Sequence, residues 1–104
     1  MTINNIEVNV DLMNPYFLDK YTKAISEISA IDINNNFAGT CDLIKSTFIS
    51  LFGEDKTVEI LGDEPRIDVW FNAFNELNTK SVEAINRITD MMNKINTQKI
   101  NKRA

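Results

Sequence analysis

Asp63-Glu64-Pro65-Arg66-Ile67, then Trp70-Phe71, Phe74 and Leu77, then Val82, Ile85, Ile88, Met91-Met92 and Ile95: this run decides the fold. Within it Ile67, Phe71, Phe74, Asn78, Ser81, Ile85, Ile88, Met92 and Ile95 recur at intervals of four and three without interruption. Such a rhythm is helical, close to the heptad seam of helices that pack lengthwise against a partner. Asp63 can cap the start, Pro65 suits a first turn, and no Gly or Pro follows to end the helix. The pattern predicts a long C-terminal helix over 63–98.

Length turns this into a claim about partners. At 1.5 Å rise per residue the helix is a rod of about 45–50 Å. A compact domain of this size has a diameter of roughly 35 Å, so a continuous rod overhangs its own fold. The weakest place is Asn78-Thr79-Lys80-Ser81, where the seam turns polar and helix propensity is mostly modest. The rod either continues or breaks over 78–81. If it continues, Ile85, Ile88, Met92 and Ile95 have little of their own chain to cover them, and an exposed apolar stripe predicts a partner.

Upstream, apolar and polar residues alternate from Ile6 to Leu12, the pattern of a strand with one buried face. Asn4-Asn5 can turn a β-hairpin within 2–12, because Asn tolerates positive φ. A lone hairpin is marginal in water, so it lies on the helices or pairs with a neighbouring subunit. Three helices fill 14–62. Asn14-Pro15 opens the first, with Leu18, Tyr21, Ile25 and Ile28 inward. Phe37, Cys41, Ile44, Phe48 and Leu51-Phe52 mark the second, closed by Gly53. Asp55 to Leu61 makes a short third, with Val58 and Leu61 inward and Gly62 ending it. The fold class is mainly α: one small helical domain, 1–104, with a short N-terminal β-hairpin and a long C-terminal helix.

The composition, 43% hydrophobic and 25% charged over 104 residues, is that of a soluble globular chain. The single cysteine, Cys41, leaves no internal disulfide, which fits a reducing compartment. No apolar run approaches the ~20 residues of a membrane helix, and no signal-peptide pattern opens the chain. A cytosolic protein without membrane partners is expected. All fifteen acidic residues lie at or before Asp90, whereas Lys94, Lys99, Lys102 and Arg103 follow it. The acidic body disfavours nucleic-acid backbones. The basic end reads as a solvated helix terminus whose cations suit the dipole, with RNA or an acidic protein as the alternative contact.

No chemistry is visible. There is no histidine, so the commonest general base and neutral metal ligand are missing. Cys41 lies on an apolar helix face with nothing to activate it, and zinc lacks its ligand set. The three glycines read as isolated helix stops rather than a phosphate-cradling loop. Glu54-Asp55 and Asp63-Glu64, the acidic pairs, stand at helix starts where carboxylates suit the dipole. No catalytic, cofactor or metal site is expected, and no enzyme. The candidates are interface residues: Trp70, Phe71, Phe74, Ile85, Ile88, Met91, Met92 and Ile95. Trp70-Phe71 with Phe74 reads as core packing or, because adjacent positions point about 100° apart, as an interface with Trp70 its anchor. Met91-Met92 suits a subunit contact or a surface that accepts varied apolar segments.

Ile3-Asn4-Asn5-Ile6-Glu7-Val8, the helix around Tyr21, Leu51-Phe52-Gly53-Glu54, Ile60-Leu61-Gly62-Asp63 and Asn72-Ala73-Phe74-Asn75-Glu76-Leu77 follow one another in an order that resembles a known family. It comprises small proteins encoded in the tail-morphogenesis modules of phages and prophages of Gram-positive bacteria, and it resembles tail assembly chaperones. The resemblance spans nearly the whole chain. It implies a homo-oligomer in the host cell cytoplasm that coats the hydrophobic, helical tape measure protein, or another tail protein, before the tube forms. Many weak copies of a self-associating binder can act by avidity. The alternatives are a structural tail component, such as a connector or completion protein, and a phage-encoded acidic inhibitor of a host protein.

Overall fold

The computed structural model describes the backbone of residues 1–103 and the side chains of residues 1–97. Two short strands, β1 (Thr2–Ile3) and β2 (Ile6–Glu7), are followed by four helices: α1 (Pro15–Ser29), α2 (Phe37–Phe52), α3 (Glu54–Leu61) and α4 (Ile67–Arg103). A single 3₁₀ turn, Ile33–Asn35, joins α1 to α2. The mainly α architecture with its N-terminal hairpin and long final helix is the one the sequence predicts.

The hairpin turns on Asn4 (φ 49°) and Asn5 (φ 65°), the paired left-handed residues whose twist matches flanking antiparallel strands. Thr2 faces Glu7 and Ile3 faces Ile6. The Val8 amide extends the ladder by donating to the Met1 carbonyl at 2.8 Å. It stops there, so the strand expected through Leu12 is too long. After Val8 no further ladder bond forms, and Asp11 turns the chain instead. Its side chain accepts from the Met13 amide and its carbonyl from the Asn14 amide. Alternation marks a face, but a strand also needs a neighbour.

Each helix begins and ends for a local reason. Asn14 caps α1 by accepting from the Tyr16 amide, with Pro15 in the first turn. Asn36 caps α2 by accepting from the Gly39 amide at 3.0 Å. Gly39 is therefore no helix stop. A Cβ there would sit 2.4 Å from the Asn36 Nδ2, so the missing side chain makes room for the cap. Gly53 and Gly62, at φ 85° and 82°, do terminate α2 and α3. The long helix starts two residues later than Pro65. Asp63 and Pro65 lie in the turn before it, the Arg66 carbonyl accepts the first helical bond from the Trp70 amide, and Asp68 occupies the first turn.

The core is built where α2 meets α1, α3 and α4. Ile3 and Val8 from the hairpin region, Tyr21 and Ile28 from α1, and Cys41, Ile44 and Phe48 from α2 join Ile60 and Leu61 of α3. On α3 the buried row is Thr57, Ile60 and Leu61, whereas Val58, expected inward, is exposed. Phe37, read as part of the α2 stripe, is half exposed at the entry to that helix. Thr40, Thr47 and Thr57 are buried without penalty, since each hydroxyl donates to the carbonyl one turn back.

Asn4 fastens the hairpin to the helices. Its Nδ2 donates to the Ile60 and Val69 carbonyls at 3.2 Å each, and its amide donates to Glu76 Oε2 at 2.8 Å. Its Oδ1 accepts from Asn72 Nδ2 at 2.9 Å. The hairpin thus lies on its own helices. Asn4→Ala should lower stability by about 2–4 kcal/mol, combining orphaned carbonyls with the left-handed backbone. Urea denaturation measures it, and a loss below about 0.5 kcal/mol contradicts this role.

Candidate functional site

α4 is continuous for 37 residues and does not break at 78–81. The polar step that looked weak in sequence is occupied. Asn78 Oδ1 accepts a hydrogen bond from the Tyr21 hydroxyl, and the Thr79 hydroxyl donates to the Asn75 carbonyl. The molecule measures 60 × 31 × 18 Å with a radius of gyration of 16.5 Å, against about 13 Å for a compact chain of this length. The rod overhangs.

Its buried face is turned from the one the sequence singles out. Trp70, Ala73, Leu77, Ser81 and Ala84 form the inward row, at intervals of three and four. Trp70 is 3% exposed and its indole N–H donates to the Leu61 carbonyl at 2.8 Å, tying the start of α4 to the end of α3. It is a core residue, the first of the two readings that the sequence left open for it. Phe71 and Phe74 flank the row and are half buried. With Ile28, Ile33, Thr40, Ile44 and Asn75 they line an apolar cleft of about 140 Å³. That is below the ~300–1,000 Å³ of small-molecule sites.

Farther along, Ile85 and Ile88 are half buried, and Ile85 packs against the core. Beyond Ile88 the body ends. Every residue from Thr89 to Thr97 is exposed, including Met91 at 53%, Met92 at 56% and Ile95 at 53%. The candidate set therefore separates into three groups: Trp70 inside, Phe71, Phe74, Ile85 and Ile88 at the margin, and Met91, Met92 and Ile95 on the projecting rod. Residues 89–103 extend for about 22 Å of helix.

Polar groups beside the hairpin turn are engaged within the fold. A broad hollow beside the hairpin turn includes Asp68, Asn72 and Glu76. Glu76 accepts from Asn4 and Asn72. Asp68 accepts two hydrogen bonds from Arg66, which hold its carboxyl below the ordinary range. Burial, with the neighbouring Asp42 carboxylate, pushes the Cys41 thiol up and keeps it protonated. Among the described residues no group of three or more His, Cys, Asp or Glu side chains is placed to hold a metal ion. Nor is any described helix long and apolar enough to cross a membrane.

Two groups on or against this row give measurable consequences. Ser81 Oγ is buried without a hydrogen-bond partner, so Ser81→Ala should raise stability by about 1 kcal/mol or more. Unchanged or lower stability would show that the hydroxyl is satisfied. Burial raises the Tyr21 pKa, so the folded state keeps that proton longer than the unfolded chain. Its contribution is complete below pH about 10 and is lost as pH rises through the folded value. Alkaline denaturation should weaken in Tyr21→Phe, and an identical alkaline limb argues against that linkage.

The model of a family of unknown function, DUF6673, matches residues 4–104. No curated protein and no solved structure matches the chain.

Proposed function

The chain belongs to the DUF6673 family, and we propose that it acts as a phage tail assembly chaperone, self-associating and shielding the hydrophobic face of the helical tape measure protein. The observation that supports this reading most directly is the projecting half of α4, where Met91, Met92 and Ile95 stand in water with no cover from their own body. The resemblance of the sequence to tail-module proteins supplies the client. Shielding an apolar helix requires no bond to be made or broken, only an apolar face that can be offered and withdrawn. The role is that of a cytoplasmic binder rather than an enzyme.

Magnitudes favour weak, repeated binding. Covering a half-exposed Met or Ile gains about 1 kcal/mol each, whereas association costs about 4–15 kcal/mol. Met91, Met92 and Ile95 alone cannot hold a client as a single monomer. Several copies along one long client share that cost, because the second and later contacts become intramolecular. Methionine suits such a face, since its unbranched thioether fills irregular gaps in different helices.

Co-expression with a tape measure fragment is the test. The fragment should move into the soluble fraction with the wild-type chain, and less so with Met92→Lys. Equal insolubility with and without the chain removes the chaperone reading. Mass spectrometry of finished particles separates it from a structural tail component: a chaperone is absent, a connector or completion protein is retained.

A further inference from the structure

Charge is unevenly distributed along the length of α4, whose apolar ridge runs from the half-buried Ile85 and Ile88 to the exposed Met92 and Ile95. Up to Asp90 the helix carries four anions, Asp68, Glu76, Glu83 and Asp90, against two cations, Lys80 and Arg87, and the sequence after Asp90 holds only cations, Lys94, Lys99, Lys102 and Arg103. We propose that a second copy of this chain covers the ridge, the two α4 helices packing antiparallel about a two-fold axis near Asp90. This inference rests on the self-association proposed above and specifies its partner face and direction.

Two observations select that occupant. Ile85, Ile88, Met92 and Ile95 keep heptad spacing, and an axis at Asp90 sets Ile85 against the partner's Ile95 and Ile88 against the partner's Met92. The ridge is thus its own complement, as an isologous contact requires, and the pairing closes at two copies. Charge then fixes the direction. A parallel pair would stack the two basic ends beside each other. An antiparallel pair carries each basic end toward the partner's body, since fifteen acidic side chains face seven basic ones in residues 1–90, and it also opposes the helix dipoles.

The accessible surface limits the strength. The shared ridge from Ile85 to Ile95 is about 15 Å long, and its first two isoleucines are already half buried. Such a contact falls short of the ~1,000 Å² expected of a durable interface. The pair is therefore weak and reversible, and it weakens further in salt as the end-to-body attraction is screened.

Sedimentation of the full chain from about 1 µM to about 500 µM should show the mass rising from monomer to dimer. Met92→Lys should move the midpoint at least about tenfold higher, with helicity and melting unchanged because Met92 is exposed. Direction is read by nitroxide distances in a Cys41→Ala background, with the label attached through Asp90→Cys or Thr97→Cys. Both positions are exposed and lie seven residues apart on one face. Antiparallel packing predicts a clearly longer distance at 97 than at 90, since the two outer labels separate by about 21 Å along the axis. Equal distances at the two positions overturn the proposal. So does a monomer throughout the concentration range, or a dimer indifferent to Met92→Lys. A monomer that still keeps the tape measure fragment soluble overturns this dimer but not the chaperone reading. An antiparallel dimer that leaves the fragment insoluble does the reverse.

Discussion

Everything else in this molecule depends on how α4 is gripped. A small body holds a 37-residue helix along only its first half. The grip works because Ala73, Ser81 and Ala84 place almost no side chain between the helix and whatever packs on it. Leu77, fully buried among them, supplies the bulk. Small residues allow close approach, and close approach allows dense packing over a short length. The rod up to Ile88 can then be anchored firmly enough to support the exposed stretch from Thr89 to Thr97.

The anchors are polar as well as apolar, and they are spaced along the rod. Trp70 ties its beginning to α3 through the indole hydrogen bond, Asn72 and Glu76 hold the hairpin turn, and Asn78 receives the Tyr21 hydroxyl from α1. Hydrogen bonds of this kind contribute little net energy each, but a buried group that loses its partner is costly. They therefore define the rotation of α4 more sharply than apolar contact alone would. A hairpin of two-residue strands has no stability of its own in water. Here Asn4 uses both its side chain and its amide to bind carbonyls and a carboxylate that the helices leave available.

Polar side chains near that grip serve the fold. The acidic groups near the hairpin are paired, the lone thiol is buried beside a carboxylate, and the described clefts are small or open. What remains is surface. The proposed roles in self-association and client shielding use the same projecting segment, and its modest apolar area suits contacts that form and dissolve as copies accumulate.

The elements were legible in the sequence because their causes are local. Asn4-Asn5 can turn a hairpin wherever it occurs, Asn14-Pro15 opens a helix, Gly53 and Gly62 end helices by adopting positive φ, and an uninterrupted 3–4 rhythm without Gly or Pro continues one. The overhang was also legible, since rise per residue against domain diameter is arithmetic. Tertiary structure alone decided which row of α4 faces inward. A seam read from the 3–4 spacing passes through Phe71, Phe74, Asn78, Ser81 and Ile85, whereas the buried row runs through Trp70, Ala73, Leu77, Ser81 and Ala84, so the two share Ser81 alone. Ala73 and Ala84 carry no strong hydrophobic signal, and they are buried because a neighbour comes close, a distance that no spacing rule contains. The same holds for the end of the strand after Glu7, the exposure of Val58 and the cap pocket at Gly39. Periodicity says that a face exists, but the partner across it determines how far it extends and which edge of it is buried.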